Sequence, residues 1–196
     1  LSFNGSPLPD LDLAIAADPA WALPLVMKAG ALLGLSEPHL AHEARALLNA
    51  AEPLAAQALP RERTHLEAMR AVADGRCHHA CRLWDECLLE HPRDALALNW
   101  AHDWDLHRGD MQSLRLRPAR VLPEWSEADP LYPHLLGLWA YGLEECHLYP
   151  QAEDAGRQAL SVSPQVPWAV HAVAHVMEMQ GRFEEGGGWL RQYQPH

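Results

Sequence analysis

The chain has 196 residues, a formal net charge of −11 at pH 7, and 48% hydrophobic against 21% charged residues. This balance is typical of an ordinary soluble globular protein with enough chain to bury a core. The acidic charge argues against a nucleic-acid partner, because neutralising phosphates needs a basic surface. No apolar run approaches the roughly 20 residues that span a bilayer, so no membrane partner is predicted.

The start of the chain and its cysteines indicate a compartment. The first residues, "LSFNGSPLPDLDL", have no initiator Met and none of the basic and apolar segments of a signal peptide. The four cysteines are Cys77, Cys81, Cys87 and Cys146. Three of them fall in one short segment at helical positions, which favours buried thiols in a reducing compartment over a disulfide framework. We therefore expect a cytoplasmic protein.

An internal repeat sets the predicted architecture. Four segments align with one another: "GRCHHA" (75–80), "GDMQSL" (109–114), "HLYPQA" (147–152) and "GRFEEG" (181–186). Their starts are 34, 38 and 34 residues apart, and each precedes an apolar helical stretch. After each of the first three segments a proline closes the unit, at Pro92, Pro130 and Pro164. The pattern predicts helix–turn–helix units, in which glycine, or His147 in its place, permits the tight turn.

The repeat divides the chain into helix pairs. The predicted units lie at about 22–58, 61–92, 95–130, 133–164 and 167–193. The first is degenerate, with a long Ala-rich second helix. The third is four residues too long, and Pro118 is expected to interrupt its second helix. We predict an all-α protein with one domain over 1–196. It would be an α-solenoid of four to five antiparallel helix pairs in a right-handed superhelix.

Several stretches carry a resemblance to known proteins. The spacing of 34 residues and the turn pattern, clearest over 133–164 and 167–193, resemble the tetratricopeptide repeat (TPR) family. Longer segments, among them "HPRDALALNWAHDWDLHRGD" and "PWAVHAVAHVMEMQGR", are similar to the proteins related to tetratricopeptide repeat protein 38. Members of that family continue past the last residue of this chain. The resemblance implies a TPR-like fold and a fragment or short member, and it implies no particular reaction.

The repeat also predicts which residues line the concave groove of the helix pairs. In stacked helix pairs the first helix of each pair lines the concave surface, where partners bind. On the helix at 167–180 the packing stripe is formed by Val170, Val173, Ala174 and Met177. The residues beside this stripe, and those at equivalent offsets in earlier units, are His65, Asn99, Asp103, Tyr141, Glu144, His171, His175 and Glu178. The predicted concave face is therefore polar, acidic and rich in histidine.

The last three residues of that set allow three interpretations. His171, His175 and Glu178 lie at i, i+4 and i+7 and could hold one divalent metal, with Glu144 or Glu145 as a fourth ligand. The HExxH pattern of metalloproteases is absent. The two histidines could equally contact a ligand in the groove, or be structural side chains paired with carboxylates. The sequence leaves all three open.

Other polar and aromatic clusters favour structural roles. "CHHAC" (77–81) places two cysteines one helical turn apart, but its apolar surroundings favour burial over metal binding. In "NWAHDWDLHRGD" (99–110) the histidines and aspartates do not all share one face, and His102 falls where helices pack closely. Trp84 and Trp139 fall on expected core positions.

The sequence leaves two possible functions open. The first is a TPR-like scaffold that binds a protein, a peptide segment or a small ligand on its acidic concave face, without a cofactor. The net charge favours a partner with basic or amine groups. The alternative is a metal-dependent hydrolase with His171, His175 and Glu178 as ligands and Glu144 or Glu145 as general base. Because a terminal repeat exposes an apolar face, self-association into a homo-oligomer through the terminal repeats is also expected.

Overall fold

The computed structural model describes residues 5–193, and the regular structure in that range consists of helices, without strands. The α-helices of this range are α1 (Leu8–Ala17), α2 (Ala22–Gly34), α3 (Pro38–Ala51), α4 (Pro60–Ala73), α5 (Cys77–Glu90), α6 (Ala95–His107), α7 (Met111–Val121), α8 (Tyr132–Glu145), α9 (Tyr149–Val162), α10 (Pro167–Met179) and α11 (Phe183–Gln192). Short 3-10 helices follow α3 and α7, at Glu52–Ala56 and Leu122–Glu124. The all-α prediction is confirmed. In the range described, none of the helices has the length and apolar character needed to cross a membrane.

Consecutive helices pack as pairs. From α2 onward the helices follow one another in five consecutive pairs, and α1 precedes them. The partners α2 and α3, α4 and α5, α8 and α9, and α10 and α11 contact each other. First helices of neighbouring units also meet, α2 with α4 and α8 with α10. The predicted packing of sequential helix pairs is therefore confirmed.

The turns within the pairs depend on a left-handed backbone conformation. Gly75, Gly109 and Gly181 have φ values of 76°, 72° and 72°. His147, the residue predicted to replace glycine, has φ 59°. Because this region favours residues without a Cβ, the repeated glycine is explained by the turn itself. Ser36 adopts φ 56° between α2 and α3, where no glycine marked the turn in the sequence.

The expected break at Pro118 is wrong. Helix α7 continues past this residue to Val121, and a 3-10 turn follows. Proline removes one backbone N–H, which costs the bond to the carbonyl four residues earlier. The loss is tolerated because α7 packs along α8, burying Leu114, Pro118 and Val121, and because the Asp110 side chain caps its first turn.

Residues 5–104 form one compact unit, here called the N-terminal unit. Its core includes Val26 of α2, Met69 of α4 and Trp84 of α5, all fully buried. A Cβ placed on Gly30 would lie 2.7 Å from Met69 Cε, so this glycine permits α2 and α4 to approach closely. The predicted core position of Trp84 is confirmed.

Residues 105–193 form a second compact unit, the C-terminal unit, which starts in the last turn of α6. Helix α8 contacts α7, α9 and α10. Two hydrophobic clusters form its core, one including Leu114 and Val176 and the other including Leu136 and Val173. Trp139 is half-buried against both clusters. The core of this unit therefore surrounds α8 and fixes it against α10.

Candidate functional site

Helices α8 and α10 bring six polar and aromatic side chains together. We call this set the α8–α10 face; its members are Tyr141, Glu144, Glu145, Trp168, His171 and His175. Residues three and four apart share one side of a helix, which aligns each helix's contribution. The helices approach closely because Gly137 has no side chain: a Cβ there would lie 2.8 Å from Val166 Cγ1.

Four rings of this face contact one another. The imidazoles of His171 and His175 stack with centroids 4.3 Å apart and planes inclined by 35°. Tyr141 lies 4.8 Å from the ring of Trp168 and 5.3 Å from that of His171. These separations are typical of packed aromatic pairs. The rings therefore form a continuous platform beside the carboxylates, in which Tyr141 is buried and Trp168, His171 and His175 are partly exposed.

Two carboxylates border the platform at the end of α8. Glu144 is buried, and its Oε2 lies 3.6 Å from His175 Nδ1, which suits an ion pair but is long for a hydrogen bond. The hydroxyl of Tyr141 donates a hydrogen bond to Glu145. Burial is the main cause that raises the pKa of Tyr141, and this hydrogen bond raises it further. Ligand atoms of Glu144, Glu145 and His175 all lie within 4.8 Å of one another.

The electrostatics of the face favour a bound cation. Burial raises the pKa of Glu144 and the charge of Glu145 raises it further, although His175 opposes both effects. Burial lowers the pKa of His171, as does the charge of His175, while Glu145 opposes them. A positive group near Glu144 and Glu145 would relieve the cost of a buried carboxylate beside a second one.

The structure gathers some of the predicted groove residues and leaves others apart. Tyr141, Glu144, His171 and His175 lie on the α8–α10 face. Glu178 is exposed near the end of α10. Among residues 5–193, His171, His175 and Glu178 do not converge as a set of potential metal ligands. On this face, Glu144 and Glu145 converge with His175 instead.

The remaining predicted groove residues lie in the N-terminal unit. His65 on α4 is buried, with 1% of its surface exposed, and Asn99 and Asp103 on α6 are half-buried. The Nε2 atom of His65 lies 3.2 Å from Asp94 Oδ2. His65 is therefore engaged inside the unit rather than presented to solvent.

A second converging set surrounds that histidine. Ligand atoms of His65, Cys87 and Asp94 lie within 4.8 Å of one another, and all three side chains are buried. Burial and then the charge of Asp94 raise the pKa of Cys87, which reaches about 11. For Asp94 burial acts to raise the pKa, but hydrogen bonds from His65 and the Ala97 amide outweigh it, so the pKa is lowered.

Sequence reasoning missed Asp94 and the role of Cys87. One signal was present: in "HPRDALAL" an aspartate directly precedes a helix, as N-cap residues do. Its Oδ1 accepts the Ala97 amide at 2.8 Å, which caps α6. The contact of the same carboxylate with His65, 29 residues earlier, has no local signature.

The cluster at the end of α6 is an ion-pair network. Asp105 is fully buried and accepts hydrogen bonds from Arg117 Nε at 2.9 Å and Arg117 Nη2 at 3.0 Å. Arg108 Nη2 donates to the same carboxylate at 2.8 Å. Buried carboxylates need such partners, and the bidentate geometry supplies them. This network joins α6 to α7 and is structural.

No protein-family model matches the chain. The resemblance to the TPR family therefore stays a prediction carried by the residues quoted above.

Proposed function

We propose that the chain is a TPR-like scaffold whose α8–α10 face binds a basic or amine-bearing segment of a protein or peptide. Helix pairs joined by left-handed turns, with contacts between first helices of neighbouring pairs, are typical of TPR-like solenoids. The same arrangement supports the right-handed superhelix expected from the repeat. The first helices of these pairs include α8 and α10, which carry the face.

The observation that carries the proposal is the meeting of two carboxylates with an aromatic platform. Glu144 is buried, and its pKa is raised by burial and by the charge of Glu145. An ammonium or guanidinium group placed between the carboxylates would make charge-assisted hydrogen bonds to both. The approach of such a cation therefore removes an electrostatic cost that the unbound face bears.

The rings give the ligand a second contact. Tyr141 and Trp168 pack 4.8 Å apart beside the carboxylates, and aromatic faces attract Lys and Arg side chains. The lowered pKa of His171 keeps its imidazole neutral at pH 7, so it does not repel a cation. Tyr141 itself is buried, so a lysine or arginine would lay its aliphatic stem along the partly exposed rings of Trp168, His171 and His175.

The test uses peptides of defined charge. Short fluorescent peptides containing Lys or Arg, and matched peptides with Gln at those positions, are titrated against the wild-type chain by fluorescence anisotropy. We expect the basic peptides to bind and the Gln peptides to bind at least about tenfold more weakly, since charge-assisted contacts contribute about 1.5–3 kcal/mol each.

A matched pair of variants locates the binding site. Glu144→Gln/Glu145→Gln is expected to reduce affinity for the basic peptides by about 10–100-fold. Glu124→Gln/Glu127→Gln removes two exposed carboxylates of the same unit and should leave affinity within about twofold, because exposed charges contribute little. Equal loss in both double variants would reduce the effect to net charge and contradict the proposed site. Absence of binding by every basic peptide would contradict the proposal itself.

The convergence of Glu144, Glu145 and His175 favours metal-assisted hydrolysis as a second candidate. Imidazole and carboxylate ligands suit zinc or manganese. The metal ligands would then be Glu144, Glu145 and His175 in place of the predicted His171, His175 and Glu178. Neutral His171 would be the general base that takes a proton from water activated by the metal. Calorimetric titration with Zn²⁺ and Mn²⁺ separates the candidates. Peptide binding by a scaffold withstands a chelator, whereas a hydrolase needs a metal held through Glu144, Glu145 and His175.

A further inference from the structure

The buried cluster of the N-terminal unit shares no residue with the α8–α10 face and plays no part in the proposed binding. His65 of α4, Cys87 of α5 and Asp94 before α6 contribute an imidazole, a thiol and a carboxylate. The exposed fraction is 1% for His65 and 6% for each of the others. Three different metal-binding groups thus meet in the interior, where polar side chains need a reason to converge.

The spacing of these groups is close to that of a metal centre. His65 Nε2 lies 3.2 Å from Asp94 Oδ2, and Cys87 Sγ lies 4.0 Å from the same oxygen. A tetrahedral zinc with bonds of 2.0–2.3 Å separates its ligand atoms by about 3.3–3.6 Å. The two distances from Asp94 Oδ2 are therefore close to this spacing, and the three ligand atoms all lie within 4.8 Å of one another.

The two nitrogens of His65 and the two oxygens of Asp94 have separate roles. Nε2 of His65 faces Asp94, while Nδ1 is buried and has no hydrogen-bond partner among the described residues, so no contact of Nδ1 fixes which nitrogen carries the proton. Asp94 divides its oxygens: Oδ1 accepts the Ala97 amide, while Oδ2 faces His65 and Cys87. Metal coordination by Oδ2 would therefore leave the helix cap intact.

The charges of the cluster also suit a divalent cation. A thiolate and a carboxylate with a neutral imidazole balance a dication, so the loaded site would carry no net buried charge. Arg61 Nε lies 3.3 Å from Asp94 Oδ2 and competes with a metal for that oxygen. Its side chain is 45% exposed and can turn into solvent.

We propose that His65, Cys87 and Asp94 form a binding site for a thiophilic divalent cation, with zinc the best match to the ligand types. Binding displaces the thiol proton of Cys87 to solvent as the sulfur–metal bond forms. The fourth coordination position is filled by water or by an added ligand. The site ties α4, α5 and the start of α6 together and has the donor set of a zinc centre.

Cobalt gives this site a distinctive signal. The reduced, metal-free full chain is titrated with Co²⁺, which substitutes for zinc and reports on sulfur ligation through a thiolate-to-cobalt charge-transfer band. We expect one equivalent to bind with this band and with the visible bands of a tetrahedral ion, and zinc to displace it. The Glu144→Gln/Glu145→Gln variant should keep the charge-transfer band, because the α8–α10 face supplies no sulfur ligand.

Variants assign the ligands. Cys87→Ser should abolish the charge-transfer band, while Cys81→Ser, which changes another buried thiol of α5 outside the cluster, should retain it. Asp94→Asn keeps an oxygen for the helix cap and should weaken Co²⁺ affinity by at least about tenfold. Arg61→Ala removes the competing cation and should tighten affinity by about tenfold.

Several results would overturn the proposal. They are the absence of a charge-transfer band at millimolar Co²⁺ in the wild-type chain, a band that survives Cys87→Ser, and a band that depends on Cys81. If circular dichroism shows that Cys87→Ser does not fold, the decision rests on Asp94→Asn and Arg61→Ala. Unchanged affinity in both Asp94→Asn and Arg61→Ala would then reject the site.

Discussion

His171 illustrates how one side chain acquires its chemistry from its surroundings. It is half-buried on α10, stacks on His175 at 4.3 Å and contacts Tyr141 at 5.3 Å. Burial lowers its pKa first and the charge of His175 second, because both disfavour a protonated ring. At neutral pH the ring is therefore an uncharged part of the platform.

The first residue-scale prediction concerns this pKa. Replacing His175 with Ala removes a like charge and should raise the pKa of His171 toward the ordinary histidine value. The measurement is the pH dependence of the ring-proton NMR shifts. His39→Ala, which removes an exposed histidine of α3, is the control and should leave the His171 titration unchanged. A His171 pKa that does not move in His175→Ala would show that burial alone lowers it.

The same shift has a consequence for stability. Because the pKa of His171 is lower in the folded chain than in the unfolded one, the unfolded state binds more protons at mildly acidic pH. The contribution of His171 to the free energy of unfolding is therefore complete above the unfolded value of about 6.5 and falls as pH decreases below it. His171→Phe should remove this part of the pH dependence in urea-unfolding curves.

Some contacts between single residues can be predicted from the local sequence, and others cannot. The proximity of His171 and His175 follows from their i, i+4 spacing. The pairing of His65 with Asp94 joins residues 29 apart and depends on how α4 packs near the start of α6. Nothing in the neighbouring sequence of either residue encodes that contact, so composition and periodicity could not predict the buried cluster.

At the scale of helices, glycines set how closely neighbours approach. A Cβ on Gly142 of α8 would lie 2.6 Å from the Leu114 carbonyl oxygen and from the Arg115 Cα of α7. Both are backbone atoms, which cannot move aside as a side-chain end can. Gly188 of α11 is also helical, but a Cβ there would meet nothing within 4 Å.

Replacing each of these two glycines with alanine should change the free energy of unfolding in opposite directions. Gly142→Ala should lower the free energy of unfolding by about 2–3 kcal/mol, because α7 and α8 must separate. Gly188→Ala should raise it by about 0.5–1 kcal/mol through helix propensity. Urea denaturation of both variants measures the difference. A neutral Gly142→Ala would mean that the two helices are less closely packed than described.

Helix positions were the most predictable feature, and their exceptions have physical causes. The repeated turn residue located four of the turns, including the one at His147, because a left-handed conformation restricts residue choice. Ser36 adopts the same conformation without a glycine at that position, so the sequence did not mark the turn of the first unit. Pro118 was expected to break α7, but burial of that helix outweighs the loss of one hydrogen bond.

At the scale of the whole molecule, the net charge of −11 adds a long-range attraction for basic partners. This attraction is screened over about 8 Å at physiological ionic strength. Contacts made directly at Glu144 and Glu145 are shorter and less screened, since Glu144 is buried. Salt should therefore separate the two contributions to peptide binding.

The whole-molecule prediction uses this difference. Raising ionic strength should slow association of a basic peptide several-fold and change its dissociation rate little, because steering acts before contact. Stopped-flow fluorescence at a series of salt concentrations measures both rates. A dissociation rate that rises as steeply as the association rate falls would place the ligand at exposed charges instead of at the α8–α10 face.

The contact pattern has a consequence for how the chain folds. Within each unit, helices contact mainly the next helix or the next but one along the chain. Native contacts are therefore short in sequence, and forming them requires closing only small loops. Chains with such low contact order reach their native state quickly, typically in microseconds to milliseconds. Each unit can begin to form as soon as two or three of its helices have left the ribosome, before the rest of the chain exists.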